Sequence, residues 1–418
     1  MSVDDLRLED VEGIERRSLK NPRLVDFGAG TPPYSMLLPS ILLRGAVESL
    51  KEEPGVPATF LQYGAACGSL RFRQALAAWL NSEYEAFQPL PSCADGPGVP
   101  PVSKAEDLFV TNGASQGLSL LCRNFTRPGD VVLVEEVTYF LALNLFRTYG
   151  LVCVPVAADN ETGIKVDDLA KKIAEYHPKM LYIIPTFQNP TGSTIPLEQR
   201  REILRLCKDN SCLLVADEVY QFLHFGERAD VPPTPFWALA GAEKGVVSLQ
   251  SFSKILAPGL RLGWLQTHDK ELIAKLEDDG VVMSGGGLNP FSAEVVRPLL
   301  IGSPAPLTTH LAKLRQTYRD QAEALYTSMK KAFPSAQFTT PRGGFFSWLT
   351  LSVPWNATVK DRALEEGLVG FRAGRDCAVN EGKWKPSDDA ERSMRMCFAH
   401  YGPEQITRGI ERMGHYFQ

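Results

Sequence analysis

The chain has 418 residues, of which 44% are hydrophobic and 22% charged, a composition typical of a globular protein with room for two domains. The formal net charge is −5 with scattered basic residues, so we expect no nucleic-acid partner. No apolar run approaches the ~20 residues of a membrane span, and the acidic first ten residues do not resemble a targeting signal. Eight cysteines without a C-x-x-C pair indicate thiols in the reducing cytoplasm and no metal site.

The first third of the chain predicts an arm, a loop and two helices. Residues 1–25 form the arm, and residues 27–33 form a Gly/Pro loop where backbone can approach a ligand closely. Apolar residues at helical spacing predict helices over 39–52 and 68–85. The prolines and glycines of 87–102 indicate a surface loop.

The middle of the chain alternates between strand-like and helix-like segments. The predicted strands are 107–111, 130–134, 151–156, 180–184, 212–216 and 246–250. The predicted helices between them are 115–126, 138–149, 166–176 and 197–209. This alternation predicts an open α/β sheet that binds ligands at the carboxyl ends of its strands.

The last third predicts helices and a smaller α+β unit. Helices are expected at 269–280, 291–300, 306–331 and 404–416, and strands at 344–350 and 393–398. We expect the C-terminal unit to pack with the N-terminal arm as a small domain. The predicted division is an arm and part of the small domain at 1–52, a large domain at 53–305 and a small domain at 306–418.

One segment, Ser251 to Trp264, carries the strongest chemical signal. Lys254 follows an apolar strand, and a desolvated lysine loses its proton readily and can form a Schiff base with an aldehyde. Arg261 lies seven residues further on, and its planar guanidinium suits a phosphate. A lysine that binds an aldehyde and an arginine that binds a phosphate together suggest pyridoxal 5′-phosphate (PLP).

Polar residues also follow other predicted strands, and each has an ordinary structural interpretation. Asp217 at the end of a buried strand could cap the next helix, and Asn189-Pro190 could be a turn. Gly113 could simply start a helix, although a glycine turn into a helix N-terminus also suits a phosphate. Arg395 between apolar strand residues would ordinarily pair with a structural carboxylate.

The segments around these residues, taken in their order along the chain, resemble those of the class I/II aminotransferases of PLP fold type I. The pattern S-x-S-K-x-x-x-P-G-x-R-x-G at 251–263 is similar to their lysine segment, and the resemblance extends from about residue 27 to residue 416. The sequence Phe-Gln-Asn-Pro-Thr-Gly at 187–192 resembles the branch of 2-aminoadipate and kynurenine aminotransferases. The resemblance implies a large domain with a mostly parallel seven-stranded sheet between helices, plus a small α+β domain built from N- and C-terminal segments.

The resemblance also implies roles for individual residues. Lys254 would be the tether and the proton shuttle, Asp217 would pair with the pyridine nitrogen, and Tyr220 and Asn189 would contact the phenolic oxygen. Tyr139 would stack on the ring, and Arg395 would bind the substrate α-carboxylate beside the backbone of Gly30. The residues implied to hold the phosphate are Gly113, Ala114, Ser115, Gln116, Ser251, Ser253 and Arg261.

Oligomeric state and substrate follow from the same resemblance. Tyr63 lies in a segment similar to one whose tyrosine reaches the phosphate of the neighbouring subunit, which implies a homodimer with shared active sites. Dicarboxylate specialists carry an arginine in the loop corresponding to 281–290, which this chain lacks, although Arg23 could substitute. Arg372 and Arg375 depart from the family pattern, so the amino donor stays open among aromatic, branched-chain and aminoadipate-like amino acids.

Two other functions remain alternatives at this point. A PLP-dependent lyase that eliminates a β- or γ-substituent would use nearly the same residues. A regulatory protein that keeps the fold without turnover is the alternative from a different class, and the presence of Lys254, Asp217 and Arg395 disfavours it.

Overall fold

Seven strands form the central sheet, in the spatial order Leu108–Thr111, Gly263–Gln266, Val246–Ser251, Leu213–Asp217, Met180–Ile183, Val131–Glu135 and Val152–Val156. The structure is a computed structural model that describes residues 21, 23–51, 59–86, 102–225, 231–285 and 288–417. Most of the predicted arm at 1–25 and of the Pro-rich loop at 87–102 lies outside the described residues. The strands of this sheet are β2 (Leu108–Thr111), β3 (Val131–Glu135), β4 (Val152–Val156), β7 (Met180–Ile183), β8 (Leu213–Asp217), β9 (Val246–Ser251) and β10 (Gly263–Gln266).

Five of these strands, β9-β8-β7-β3-β4, are mutually parallel. Their sequences are nearly continuous apolar runs, because helices cover both faces of the sheet. The six predicted middle strands are all present, each within one or two residues of its predicted ends. The mostly parallel seven-stranded sheet expected from the family resemblance is therefore confirmed.

The seventh strand, β10, was not among the predicted strands. It runs antiparallel to both β2 and β9, and it separates β2 from the parallel strands. This strand is only four residues long and follows closely after the Pro258–Leu260 turn. The sequence there therefore resembles a loop more than a strand. The position of β10 places the turn beside the carboxyl end of β9.

Helices surround the sheet. They are α1 (Pro39–Ser49), α2 (Leu70–Ala86), α3 (Ala114–Phe125), α4 (Phe140–Thr148), α5 (Val166–Tyr176), α6 (Leu197–Asp209), α7 (Phe236–Ala240), α8 (Lys270–Glu277), α9 (Gly280–Gly285), α10 (Pro290–Val296), α11 (Pro306–Ala332), α12 (Ala357–Glu365), α13 (Asp388–Arg392) and α14 (Pro403–Phe417). No helix within the described ranges is long and apolar enough to cross a membrane.

A smaller antiparallel sheet lies in the C-terminal part of the chain. Its order is β11 (Gln337–Phe338), β12 (Phe346–Thr350), β15 (Ser393–Cys397) and β14 (Arg372–Ala373). The long helix α11 leads into it and packs along α14. The remaining short strands are β5 (Ala158–Asp159), which pairs with β6 (Gly163–Ile164), and β1 (Val25–Asp26), which pairs with β13 (Val369–Gly370).

The pairing of β1 with β13 joins the N-terminal segment to the C-terminal unit. The two strands are parallel, and the Cys397 N–H donates to the Phe27 carbonyl at 2.9 Å close by. This contact carries the Gly/Pro loop at 27–33 towards the end of the central sheet. The predicted domain boundaries at residues 52 and 305 stay a prediction.

Candidate active site

A cavity of about 540 Å³ opens at the carboxyl ends of β7, β8 and β9. Most of the candidate site residues line it, although they come from distant parts of the chain. Those on its wall are Gly30, Ala114, Ser115, Tyr139, Asn189, Asp217, Tyr220, Ser251, Ser253, Lys254, Arg261 and Arg395. Parallel strands end at the same edge of a sheet, and this explains why segments separated in sequence converge here.

Lys254 follows β9 and projects its amine into the cavity. Nζ donates to the Gly30 carbonyl at 2.9 Å and lies 5.1 Å from the centre of the Phe345 ring. Burial lowers the pKa of Lys254 to about 8, and the charge of Arg395 contributes in the same direction. The neutral amine, which a nucleophile or proton acceptor requires, is therefore far more populated near neutral pH than in an exposed lysine.

Asp217 ends β8 and is 7% exposed. Tyr182 Oη donates to Asp217 Oδ2 at 2.7 Å, whereas the buried Oδ1 has no hydrogen-bond partner among the described residues. Burial raises the pKa of Asp217 to about 6, against the opposing effect of the Tyr182 hydroxyl. The carboxyl group thus has one oxygen held by the protein and one left over at the cavity.

Arg395 lies on β15 and is 3% exposed. Nη1 donates to Asn189 Oδ1 at 3.0 Å, and Nη2 donates to the Gly28 carbonyl at 2.7 Å. Its guanidinium carbon lies 4.3 Å from the centre of the Phe346 ring. Within the described part of the chain, Nε has no partner and no carboxylate forms an ion pair with this arginine.

The contact with Arg395 also orients Asn189. A guanidinium has only donors, so the amide oxygen of Asn189 must face it. The N–H groups of the Asn189 amide are then directed away from Arg395, and Asn189 lines the cavity. This orientation makes Asn189 a donor towards the cavity.

The start of α3 and the Pro258–Leu260 turn form the opposite end of the cavity. Arg261 has a positive φ of 46°, and its Nη1 donates to Ser253 Oγ at 3.4 Å. Ser251 Oγ donates to Ser253 Oγ at 2.9 Å. Gly113 precedes α3 with φ of 82°, and a Cβ built on it would lie 2.8 Å from Arg261 Nη2. Hydroxyls, a guanidinium and a helix N-terminus together suit an anion.

Two tyrosines, Tyr139 and Tyr220, also line the cavity. Tyr139 immediately precedes α4, and burial raises its pKa. Tyr220 is 3% exposed and packs edge-on against Phe346, with ring centres 6.0 Å apart. Burial raises the pKa of Tyr220 well above its usual value, so the phenol remains protonated and can donate a hydrogen bond.

Three candidate residues do not line the cavity in this chain. Gly113 is not among the lining residues, although a Cβ built on it would lie 2.8 Å from Arg261 Nη2. The Gln116 side chain accepts from the Asn112 N–H at 3.1 Å at the start of α3. Tyr63 is 79% exposed on the surface. Their predicted contacts with the cofactor stay predictions.

Several cavity residues were missed by the sequence analysis. Tyr182 and Phe346 each lie within a strand, where an aromatic residue is ordinarily part of the core. Phe140 and Thr31 also line the cavity. Phe140 follows the candidate Tyr139 directly, which was the only signal available for it.

The unused groups of the cavity can be compared with the groups of PLP. The buried Asp217 Oδ1 lacks a donor, which a protonated pyridine nitrogen would supply. Because Gly113 has no Cβ, the Arg261 guanidinium can approach the backbone there, among the donors suited to a phosphate; an added Cβ would lie 2.8 Å from Nη2. The Lys254 amine lines the same cavity. The residues present therefore fit PLP.

Comparison with known proteins agrees with this geometry. The family model for aminotransferase class I and II matches residues 22–413. An aromatic-amino-acid aminotransferase of Thermococcus litoralis is 30% identical, over 92% of this chain and 86% of its own length. A 2-aminoadipate transaminase of Thermus thermophilus is 30% identical, over 94% of this chain and 90% of its own length.

A solved structure shows the same likeness over the whole chain. The kynurenine aminotransferase of Pyrococcus horikoshii superposes with a TM-score of 0.79 at 27% identity, covering 100% of this chain and 96% of its own. Family, fold and cavity thus agree, and the lyase alternative is not favoured. The chain belongs to the class I and II aminotransferases and is a PLP-dependent transaminase.

Proposed function

We propose that this aminotransferase transfers the amino group of an L-amino acid with an aromatic, branched-chain or aminoadipate-like side chain to a 2-oxo acid. The observation that carries this proposal is the cavity wall on which the Lys254 amine, the Asp217 carboxyl and the Arg395 guanidinium meet. The latter two retain unused hydrogen-bonding capacity towards the cavity.

The residues proposed to hold PLP divide into two groups. Asp217 would pair with the pyridine nitrogen, Tyr220 and Asn189 would donate to the phenolic oxygen, and Tyr139 would stack on the ring. The phosphate would be held by Gly113, Ala114, Ser115, Gln116, Ser251, Ser253 and Arg261, with Tyr63 of a second copy of the chain. When bound, PLP supplies an aldehyde for the amino group and a ring that accepts electrons from the α-carbon.

The remaining chemistry belongs to residues of the chain. Lys254 would take the α-proton of the amino acid and return it elsewhere, as general base and then general acid, because its pKa of about 8 suits both steps. Arg395 would bind the α-carboxylate through the guanidinium N–H groups that Asn189 and Gly28 leave unused. Phe346 covers one face of that guanidinium and excludes water there.

Apolar residues on the cavity wall support a donor with a largely apolar side chain. Phe140, Leu141 and Leu145 come from the first turns of α4 and lie on the wall with Phe346. Arg372 lies behind Phe140, with its guanidinium carbon 4.4 Å from the ring centre, and does not line the cavity. The name of the first relative above supports an aromatic donor in the same way, whereas that of the second supports an aminoadipate-like donor, whose side chain ends in a carboxylate.

The test is a panel of L-amino acids with 2-oxoglutarate as acceptor, in which the new 2-oxo acid and glutamate are measured. We expect the highest kcat/KM for a leucine-, phenylalanine- or 2-aminoadipate-type donor. Highest activity with aspartate would contradict the proposed donor class. Pyruvate and ammonia released without an added oxo acid would reveal elimination in place of transfer.

We also propose a homodimer. Helix α1, helix α10 and the turn at Thr59–Leu61 pack together, and all three expose large apolar side chains. Leu43, Leu61 and Phe291 are 65%, 68% and 51% exposed, beside the exposed Tyr63. A second copy of the chain would bury this surface and bring Tyr63 towards a neighbouring cavity. Light scattering should give twice the chain mass of 46.1 kDa, and Leu61→Glu should reduce it to that of one chain.

A cytoplasmic location is the last part of the proposal. The cysteines at 67, 122, 153, 207, 212, 377 and 397 are free thiols and are all buried. Free thiols are typical of a reducing compartment. Fractionation of the source cells would test this location.

A further inference from the structure

The two oxygens of Asp217 have different surroundings. Oδ2 accepts a hydrogen bond from Tyr182 Oη at 2.7 Å, and Oδ1 is buried without a partner among the described residues. Both residues line the cavity. The Tyr182 hydroxyl therefore occupies one carboxylate oxygen, and the other has no partner in the described part of the chain. The Val219 backbone N–H also acts on this carboxylate and lowers its pKa.

The sheet explains why the hydroxyl reaches Asp217. On the neighbouring parallel strands β7 and β8, Tyr182 lies opposite Val215. Val215 and Asp217 are two residues apart, so their side chains and that of Tyr182 lie on one face of the sheet. The Tyr182 ring is fully buried and packs edge-on against Phe146, with ring centres 5.5 Å apart. Its direction is therefore fixed by packing.

We propose that Tyr182 is a positioning residue: by occupying Oδ2 it holds the Asp217 carboxylate in the rotation that presents Oδ1, in ionised form, to the pyridine nitrogen of PLP. The inference rests on the role proposed above for Asp217 and adds a residue that acts through it.

The charges around Asp217 show why a donor is needed. Burial favours the neutral carboxyl group and raises its pKa to about 6. Glu135, on β3, lies close enough that Asp217 contributes to raising the pKa of that buried carboxyl, which reaches about 8. Glu218, Tyr139 and Tyr220 are further titratable groups near Asp217, and the Lys254 amine is a nearby cation. A neutral Asp217 could not stabilise a protonated ring nitrogen, and the Tyr182 hydrogen bond acts against that neutral form.

The test uses Tyr182→Phe, which removes one oxygen and keeps the ring. The holoenzyme is loaded with PLP carrying ¹⁵N in its ring, and the ¹⁵N chemical shift at neutral pH reports whether that nitrogen is protonated. We expect the wild-type signal at the protonated position and the variant signal displaced towards the unprotonated one. A hydrogen bond to a charged group is worth about ten- to hundredfold in an equilibrium constant, so PLP affinity should fall by at least about tenfold.

A PLP analogue with carbon in place of the ring nitrogen separates positioning from general damage to the fold. Tyr182→Phe should leave the affinity of the apoprotein for this analogue unchanged, because the analogue makes no contact that depends on Oδ1. Equal losses for PLP and the analogue, with an unmoved ¹⁵N signal, would show a purely structural role and overturn the inference.

Two further variants complete the design. Tyr318 is also fully buried, but its hydroxyl has no partner among the described residues, so Tyr318→Phe is the matched control and should change neither measurement. If Tyr182→Phe does not fold, Phe146→Leu keeps the hydroxyl and loosens its ring. It should displace the ¹⁵N signal in the same direction by less, and an unmoved signal would count against the inference.

The variant Asp217→Asn distinguishes the role inferred for Tyr182 from the role proposed for Asp217, on which it rests. A ¹⁵N signal that moves in Asp217→Asn but not in Tyr182→Phe would overturn the role of Tyr182 alone. A signal that moves in neither variant would overturn the role proposed for Asp217, and the inference with it.

Discussion

Two buried polar regions lie side by side at the carboxyl ends of the central strands, and they differ in how far the protein satisfies them. In the first, around Arg200, the guanidinium donates to four carbonyl oxygens, of Ile195, Pro233, Thr234 and Pro185, and to the Thr186 hydroxyl. Glu218 lies 3.7 Å from it, and both side chains are fully buried. No N–H of this guanidinium is left over.

The second region is the cavity, where the corresponding arginine is Arg395. It uses Nη1 and Nη2 for one hydrogen bond each, and its Nε has no partner in the described part of the chain. The two carboxylates each keep one oxygen without a partner among the described residues, but Glu218 has the Arg200 guanidinium at 3.7 Å as its cation, whereas Asp217 lines the cavity. A buried cation that is fully satisfied by the protein supports the fold, whereas one left short of acceptors is available to a ligand.

The largest expected effect concerns the amine that lies between the unsatisfied groups. Lys254→Ala should lower kcat by at least about 10³-fold, because general acid–base catalysis contributes up to about 10⁴-fold. It should also abolish the absorbance of lysine-bound PLP. Lys244→Ala is the control, since the Lys244 side chain is 67% exposed and pairs with Glu271 at the surface. Turnover within tenfold of wild type in Lys254→Ala would refute the role of this lysine.

Replacing each of the two arginines with methionine tests the comparison of the two regions directly. Arg395→Met should lower kcat/KM for the amino acid by about 100-fold or more, through loss of charge-assisted hydrogen bonds to its carboxylate. Arg200→Met should instead lower the free energy of unfolding by about 3–5 kcal/mol, because it leaves Glu218 buried without its cation. Steady-state kinetics and urea unfolding of both variants give the answer. Equal losses of stability in the two variants would contradict the distinction.

A smaller effect is expected at the phosphate end of the cavity. Gly113→Ala adds a Cβ 2.8 Å from Arg261 Nη2 and should weaken PLP binding about tenfold through loss of one charge-assisted contact. Gly129→Ala is the matched control, because Gly129 also has a positive φ, of 92°, but nothing lies within 4 Å of its added Cβ. Both variants should lose about 1–2 kcal/mol of stability from backbone strain. Equal PLP affinity in the two would contradict the placement of the phosphate.

The last expected effect is a dependence of stability on pH. The pKa of Lys254 is about 8 in the folded protein against 10.5 ordinarily, so between these values the unfolded chain binds more protons. Stability should therefore rise with pH across this window, and the cost of burying a charged Lys254 should be complete below it. The measurement is the difference in unfolding free energy between PLP-free wild type and Lys254→Met. A difference that stays constant from pH 8 to 10.5 would show that the amine is not desolvated.

The sequence by itself determined the strands of the parallel sheet and several of the residues at their ends. A continuous apolar run such as Met180–Ile183 indicates a strand that is buried on both faces, and this holds whichever strands lie beside it. The lysine segment at 251–263 combines a nucleophile, a bend and an arginine within one local stretch, so Lys254 and Arg261 were readable without the fold. Asp217, Asn189 and Arg395 were found by resemblance, each beside an ordinary structural interpretation.

Only the tertiary structure decided which side chains meet across strands. The antiparallel β10 pairs locally with β9, but its pairing with β2 joins segments more than a hundred residues apart, as in Trp264 with Val110. The bond from Tyr182 to Asp217 joins residues 35 positions apart on neighbouring strands, and along the chain Tyr182 is one more apolar strand residue. The local sequence pattern indicates which residues are buried and whether a segment is a helix or a strand. The order of the strands determines which side chains are neighbours across the sheet, and those neighbours satisfy the hydrogen bonds of Arg200 but not those of Asp217 and Arg395.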